Sequence, residues 1–281
     1  MKCVEKAYAK INLTLAVGEK RPDGYHEVVS VMQRVGLCDT LTAERTDGGI
    51  SLVCSDPSLP AGEENLAHRA AALFFRETGI AGGAALTLEK RIPSQAGLGG
   101  GSSDAASVLL ALRKLYAPAM PDGALETMAA ALGSDVPFFI RGGTQLATGR
   151  GEVLSPLPPL TDGWFVIVKP AESFSTPAMY RRLDEPGSVL VRNSRYMQDA
   201  VEANNVHAVA AELHNSFERV VPKDSSLRTI KDALRAHGAL ASLLSGSGSA
   251  VFGLFDTETA ARAAVEALRP AWPEIFLARP V

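Results

Sequence analysis

The chain has 281 residues, 46% hydrophobic and 21% charged, enough apolar material for two modest packed domains or one large one. A net charge of −3 with no long basic run argues against nucleic acid or an anionic membrane surface as the main partner. No apolar run reaches membrane-span length, no secretory leader precedes the first strand pattern, and Cys3, Cys38 and Cys54 form no CxxC pair, so a reducing, cytoplasmic setting without disulfides or structural zinc is expected.

Residues 3–17 alternate as a strand does. Ala7, Ala9, Ile11, Leu13 and Leu15 fall on one face, and Tyr8, Lys10, Asn12 and Thr14 on the other. On pattern alone the second face is a solvated one with an outward lysine, or one that sets an ammonium beside an amide. The Pro22-Asp23-Gly24 turn then presents Tyr25 and His26 side by side. Strands are expected at 27–35, 37–43 and 50–53, followed by a helix from about Asn65 to Phe75 with Asn65 as a candidate cap.

Leu86 to Glu89 alternates as a strand and leads into Pro93-Ser94-Gln95-Ala96-Gly97-Leu98-Gly99-Gly100-Gly101-Ser102-Ser103. Beyond it Ala105, Val108, Leu109, Leu112 and Leu115 make one apolar helical face, with Ser102 or Ser103 as the expected N-cap. Glycines let backbone N–H groups and a ligand approach without a Cβ between them, and a helix start offers free N–H groups and partial positive charge. Strand, glycine loop and helix start in that order make a phosphate site. No Lys-Ser or Lys-Thr follows the glycines, so the loop is not a Walker A motif, and it lacks the full GxGxxG spacing of a dinucleotide fold.

A further helix is expected at 123–132, ending in Gly133-Ser134-Asp135-Val136-Pro137-Phe138. Pro137 is expected to hold Val136 out of helical geometry, so that the chain turns at Asp135, which on pattern alone caps the next turn. Pro156 to Pro159 reads as a stiff link and Trp164 to Val168 as a buried strand. Ser175-Thr176-Pro177 reads as an N-cap with proline at the first helical position, and Tyr180 lies one turn on from Thr176. Residues 184–199 are polar and carry no pattern. The last third reads helix 226–237, strands 240–244 and 249–255, helix 257–268 and strand 274–278, an order that suits a ferredoxin-like layer. Between its two adjacent strands Ser245-Gly246-Ser247-Gly248-Ser249 reads as a hairpin turn.

The glycine loop resembles the phosphate loop of the GHMP kinases, the family named for galactokinase, homoserine kinase, mevalonate kinase and phosphomevalonate kinase. Ala9-Lys10-Ile11-Asn12-Leu13, Asp23-Gly24-Tyr25-His26, Gly133-Ser134-Asp135-Val136-Pro137-Phe138, Ser175-Thr176-Pro177 and Gly246-Ser247-Gly248 resemble, in order, motifs of one branch. That branch phosphorylates a methylerythritol carrying a cytidine diphosphate group, on the route to isoprenoid precursors. The resemblance implies an α+β, two-domain GHMP kinase fold: a ribosomal-protein-S5-like N-terminal half at 1–155, a ferredoxin-like C-terminal half at 156–281, and an active site in the cleft.

It further implies ATP as donor, held by residues 93–103 with Asn65 near its base, and Mg²⁺ with unknown ligands, Ser102 or Ser103 being within the motif that could touch it. Asp135 would accept the hydroxyl proton, and Lys10 would keep it ionised and orient the hydroxyl. Asn12, Tyr25, His26, Thr176 and Tyr180 would hold the substrate, with Tyr25 and Tyr180 stacking on the base and His26 bonding its edge. Gly246, Ser247 and Gly248 would lie beside the phosphates. The family carries Asn-Asp-Phe-Glu or similar where this chain has Asn215-Ser216-Phe217-Glu218, so Ser216 departs from it. A homoserine- or mevalonate-type kinase and a non-catalytic nucleotide binder are the competing expectations, as either monomer or homodimer.

Overall fold

A computed structural model describes residues 1–185 and 194–281. The chain packs as two compact units, each assembled from separate stretches: residues 1–9, 38–92 and 99–142 in the first, and 10–37, 93–98 and 143–281 in the second. Strands β1 (Lys2–Lys20) and β2 (His26–Thr46) are long enough to run through both. The break expected near residue 36 in β2 is absent. Gly36 instead stays in the strand and gives its N–H to the Arg279 carbonyl at 2.9 Å.

In the first unit the last part of β2 pairs antiparallel with β4 (Gly83–Glu89), and β4 pairs in parallel with β3 (Gly49–Cys54). The alternation Leu86, Leu88 on β4 faces Ala43 and Leu41 on β2, and all four are buried. Helices α1 (Leu66–Thr78), α2 (Gly100–Tyr116), α3 (Asp122–Leu132) and α4 (Val136–Arg141) pack together on that layer. Phe74, Leu109, Leu112 and Phe138 fill the core, the 3.6-residue spacing of the apolar positions on α2 turning them all inward.

In the second unit the first part of β2 pairs with β5 (Thr144–Thr148), which pairs with β6 (Val153–Pro156). After β7 (Trp164–Val168) come helices α5 (Thr176–Leu183), α6 (Arg195–Glu202) and α7 (Val206–Glu212). The short β8 (His214–Asn215) lies parallel to β1, with Thr14 opposite His214, and a 3₁₀ turn follows over Ser216–Val220. Helix α8 (Leu227–Ala236), β9 (Ala241–Leu244), β10 (Val251–Phe255), α9 (Glu258–Leu268) and β11 (Ile275–Ala278) complete it. The sheet order β11-β7-β10-β9, antiparallel throughout with α8 and α9 against it, is the split βαβ arrangement of a ferredoxin-like layer.

Local expectations differ from the structure in a few places. Helix α2 starts at Gly100, three residues earlier than a cap at Ser102 allows; Gly99, at φ +72°, stands at the N-cap, so Ser102 and Ser103 lie inside the first turn. Val136 is helical, because Pro137 occupies the second position of α4, where its missing N–H and fixed φ cost nothing. Pro177 likewise sits at the second position of α5 rather than the first. Residues 195–199 belong to α6, whose Met197, Ala200 and Val201 face inward; residues 186–193 of the unpatterned segment lie outside the described residues.

Candidate active site

In the second unit the loop residues 93–98 are built against the turn between β9 and β10. Ser249 N–H and Ala250 N–H donate to the carbonyls of Gln95 (3.4 Å) and Ala96 (3.1 Å), and Ser245 Oγ donates to the Gly97 carbonyl at 3.1 Å. The turn is therefore no ordinary hairpin. It approaches so closely that a Cβ on Gly97 would lie 2.1 Å from the Ser245 carbonyl oxygen, and one on Gly246 would lie 2.9 Å from the Gly97 carbonyl oxygen. Both glycines also have positive φ, +74° and +55°, which no β-carbon-bearing residue adopts cheaply. Asn215 holds the turn from its other side, its Nδ2 donating to the carbonyls of Leu244 and Gly246 at 2.8 Å each.

Strand β1 joins the same assembly, with Lys10 N–H donating to the Leu98 carbonyl at 2.9 Å. Lys10 and Asn12 are 4% and 3% exposed, which excludes the solvated-face reading. A buried polar row runs from them: Lys10 Nζ donates to Asn12 Oδ1 (2.7 Å), Asn12 Nδ2 to Ser30 Oγ (2.8 Å), and Ser30 Oγ to the Thr14 carbonyl (2.6 Å). A buried row with every partner supplied is rigid, so the Lys10 ammonium is held in one place. Ser216 Oγ accepts the Val17 N–H at 3.0 Å, so the residue that departs from the family pattern ties β1 to the 3₁₀ turn.

At the start of α5, Thr176 Oγ1 and Ser247 Oγ share a hydrogen bond of 2.7 Å, which brings the Ser-Thr-Pro segment to the glycine turn. One turn on, the Tyr180 ring lies stacked on His26, centroids 4.9 Å apart and planes 23° from parallel. Phe217 meets the same tyrosine edge-on at 5.0 Å. His26 is 8% exposed and its Nε2 lies 2.6 Å from Asp184 Oδ1; that hydrogen bond and another from Lys20 hold the Asp184 carboxyl below its ordinary pKa. Tyr25, next in sequence, is the exposed ring of the pair. It is 54% exposed, and the Arg150 guanidinium lies over its ring at 4.9 Å.

In the first unit, the rest of the loop enters α2. Gly101 is open, with nothing within 4 Å of an added Cβ, while Gly100 packs on Ile92. Ser102 is half-buried and Ser103 buried, its N–H donating to the Gly99 carbonyl at 2.9 Å. Asp135 stands at the N-cap position of α4 with helical backbone angles, and its side chain makes no cap bond. Asn65 is a cap: its Oδ1 accepts the Ala67 N–H (2.9 Å) and its Nδ2 donates to the Pro60 carbonyl (2.7 Å). Among the described residues no three His, Cys, Asp or Glu side chains gather as a metal cage.

Sequence reasoning missed Asn215, Phe217, Asp184 and a buried trio of Asp39, Lys90 and Asp104. Asp104 had a signal: it leads the stripe Asp104, Val108, Ala111, Leu115, and a carboxylate on an apolar stripe needs a partner.

Comparison with known proteins gives the family. The GHMP kinases N terminal domain model matches residues 65–143 and the GHMP kinases C terminal model matches residues 197–274. The chain belongs to the GHMP kinase family, whose members use ATP to phosphorylate small molecules. Within it the similarity runs end to end to 4-diphosphocytidyl-2-C-methyl-D-erythritol kinases. The one from Clostridium botulinum (strain Eklund 17B / Type B) is 38% identical over 98% of this chain and 99% of its own. That from Moorella thermoacetica is 43% identical over 97% of each. A crystal structure of 4-(cytidine 5'-diphospho)-2C-methyl-D-erythritol kinase superposes with a TM-score of 0.85 at 38% identity, covering 99% of both chains.

Proposed function

We propose that the protein transfers the γ-phosphoryl group of ATP to the hydroxyl on the branched carbon of 4-diphosphocytidyl-2-C-methyl-D-erythritol, giving the 2-phosphate and ADP, a step of the non-mevalonate route to isoprenoid precursors. The end-to-end likeness to kinases of that name supports it. The observation that carries it is the His26–Tyr180 ring pair in the unit that also holds Lys10 and residues 93–98. A flat π surface beside a polar imidazole suits a cytosine, and homoserine or mevalonate has no base to place there.

Phosphoryl transfer asks for positioning and charge neutralisation more than for covalent chemistry. Residues 93–103 hold the triphosphate through their N–H groups and the α2 helix start. Lys10 orients the accepting hydroxyl, and Asp135 takes its proton as the new P–O bond forms and the bond to the ADP oxygen breaks. Tyr25, His26, Thr176 and Tyr180, with Asn12, bind the cytidine diphosphate end, so that remote binding energy fixes the reacting hydroxyl. Ser102 or Ser103 would be the loop residue to touch a Mg²⁺ ion bound with the nucleotide, which would neutralise charge on the triphosphate. Residues 1–155 and 156–281 correspond to the family's N- and C-terminal domains.

The discriminating experiment is ADP release with each of 4-diphosphocytidyl-2-C-methyl-D-erythritol, mevalonate and homoserine, with CDP as competitor. Turnover of the first alone, inhibited by CDP competitively with it, supports the reading. Turnover of either other alcohol, insensitive to CDP, overturns it.

A further inference from the structure

Asp39, Lys90 and Asp104 form a buried cluster at the root of the glycine loop, all in the first unit. Lys90 Nζ donates to Asp39 Oδ2 and, at 2.7 Å, to Asp104 Oδ2. The Lys90 side chain is 8% exposed and that of Asp104 4%. Asp39 also accepts the backbone N–H groups of Arg91 and Ile92 through Oδ1. The cluster thus ties together three places: strand β2 at Asp39, the chain entering the loop at 90–92, and the first turn of α2 at Asp104. Gly100 packs beside the cluster: a Cβ there would lie 3.1 Å from Ile92, a tight approach, and in ordinary contact with Lys90 Nζ at 3.5 Å. Asp104 Oδ1, also buried, has no hydrogen-bond partner.

We propose that Asp104 is a positioning residue for ATP: clamped through Lys90 to Asp39, it fixes the first turn of α2 against the entry of the glycine loop, and so sets nucleotide affinity rather than the chemical step. The proposal rests on the reading that residues 93–103 hold the phosphates. The charged groups acting on Asp104 are Lys90, from the segment after β4, and Asp39, from β2; helices α1, α3 and α4, which also pack on α2, add none. Burial raises the Asp104 carboxyl to about 7, with Lys90 opposing and Asp39 adding to the rise. Burial also works against the Lys90 charge, but the two carboxylates outweigh it, so the lysine stays an ammonium.

The test measures ATP binding by calorimetry, and KM for ATP and kcat, for wild type, D104N, D104A and the loop variant G101D. D104A is expected to weaken ATP binding about tenfold with kcat changed less than about threefold. D104N keeps the shape and an oxygen for Lys90 but loses the charge, and should weaken ATP binding about threefold, between wild type and D104A. D104 variants that bind ATP as wild type does, or whose defect is in kcat alone, overturn the proposal. The D104N comparison decides if the alanine variant does not fold. G101D separates the two readings: if it leaves ATP binding intact, the phosphate-loop reading fails and takes this one with it. If it abolishes binding while the D104 variants leave it unchanged, only this one fails.

Discussion

The Gly97 α-carbon faces the Ser245 carbonyl so closely that an added Cβ would lie 2.1 Å from its oxygen. Both partners are backbone, so neither can swing away. Gly97→Ala should push apart the loop and the turn between β9 and β10, lower the melting temperature and remove most ATP-dependent turnover. Gly101→Ala meets nothing within 4 Å and replaces a helical glycine, so its stability should be unchanged or up to about 1 kcal/mol higher. Thermal melts of both variants check the contrast.

Asn215 makes three bonds from one buried side chain: to the carbonyls of Leu244 and Gly246, and from the Phe217 N–H at 2.9 Å. Asn215→Leu keeps the branched shape and removes the partner of all three backbone groups. At about 1–3 kcal/mol for each buried group left unpaired, partly relieved by water, a loss on the order of 3 kcal/mol is expected in urea unfolding. Asn215→Asp should cost at least as much at neutral pH, because a buried carboxylate oxygen would face the carbonyls of Leu244 and Gly246 in place of the amide N–H groups.

Asp104 gives stability a sign with pH. Its carboxyl has an ordinary value of 3.8 and is raised to about 7 in the folded chain. The folded state therefore binds more protons than the unfolded one between these values. Stability falls as pH rises from about 4 to about 7, and the cost is complete above 7. D104N, which cannot charge, should flatten that slope and gain on wild type between pH 4 and pH 8, by up to a few kcal/mol as an order of magnitude. Chemical unfolding at several pH values reads it directly.

The Asp184 carboxyl behaves oppositely. The hydrogen bond with His26, then that with Lys20, holds its pKa below 3.8. Its contribution is present above that value and disappears as pH falls through the lowered one. Asp184→Asn should cost no more than about 1 kcal/mol at pH 7, since the pair is part-exposed, and nothing near pH 2. The larger effect is expected on KM for the cytidine-bearing substrate, because the His26 ring would lose the partner that fixes it against Tyr180.

Periodic features were legible in the sequence because local chemistry determines them. The alternation of Ala7 to Leu15, the apolar face of α2 and the helix–strand order of the last third all stand as read. What local pattern could not carry was partnership across the chain. Whether Lys10 faces water depends on Ser30 and Leu98; whether Gly246 marks a hairpin depends on Gly97. Ser102 and Ser103 look like caps by residue type, yet Gly99 takes the cap because its left-handed backbone begins the helix sooner. Asp39 and Lys90 lie 51 residues apart in sequence, so nothing near either one announces the pair.

The central claim, a kinase for 4-diphosphocytidyl-2-C-methyl-D-erythritol with Asp135 as the proton acceptor, is tested most directly by ADP release with ATP, Mg²⁺ and that substrate, in wild type and Asp135→Asn. The account predicts turnover that requires the substrate and falls at least about a hundredfold in the variant, the scale at which general-base catalysis acts. Undiminished turnover in Asp135→Asn would contradict the assigned base, and a wild type that leaves this substrate unphosphorylated would contradict the function itself.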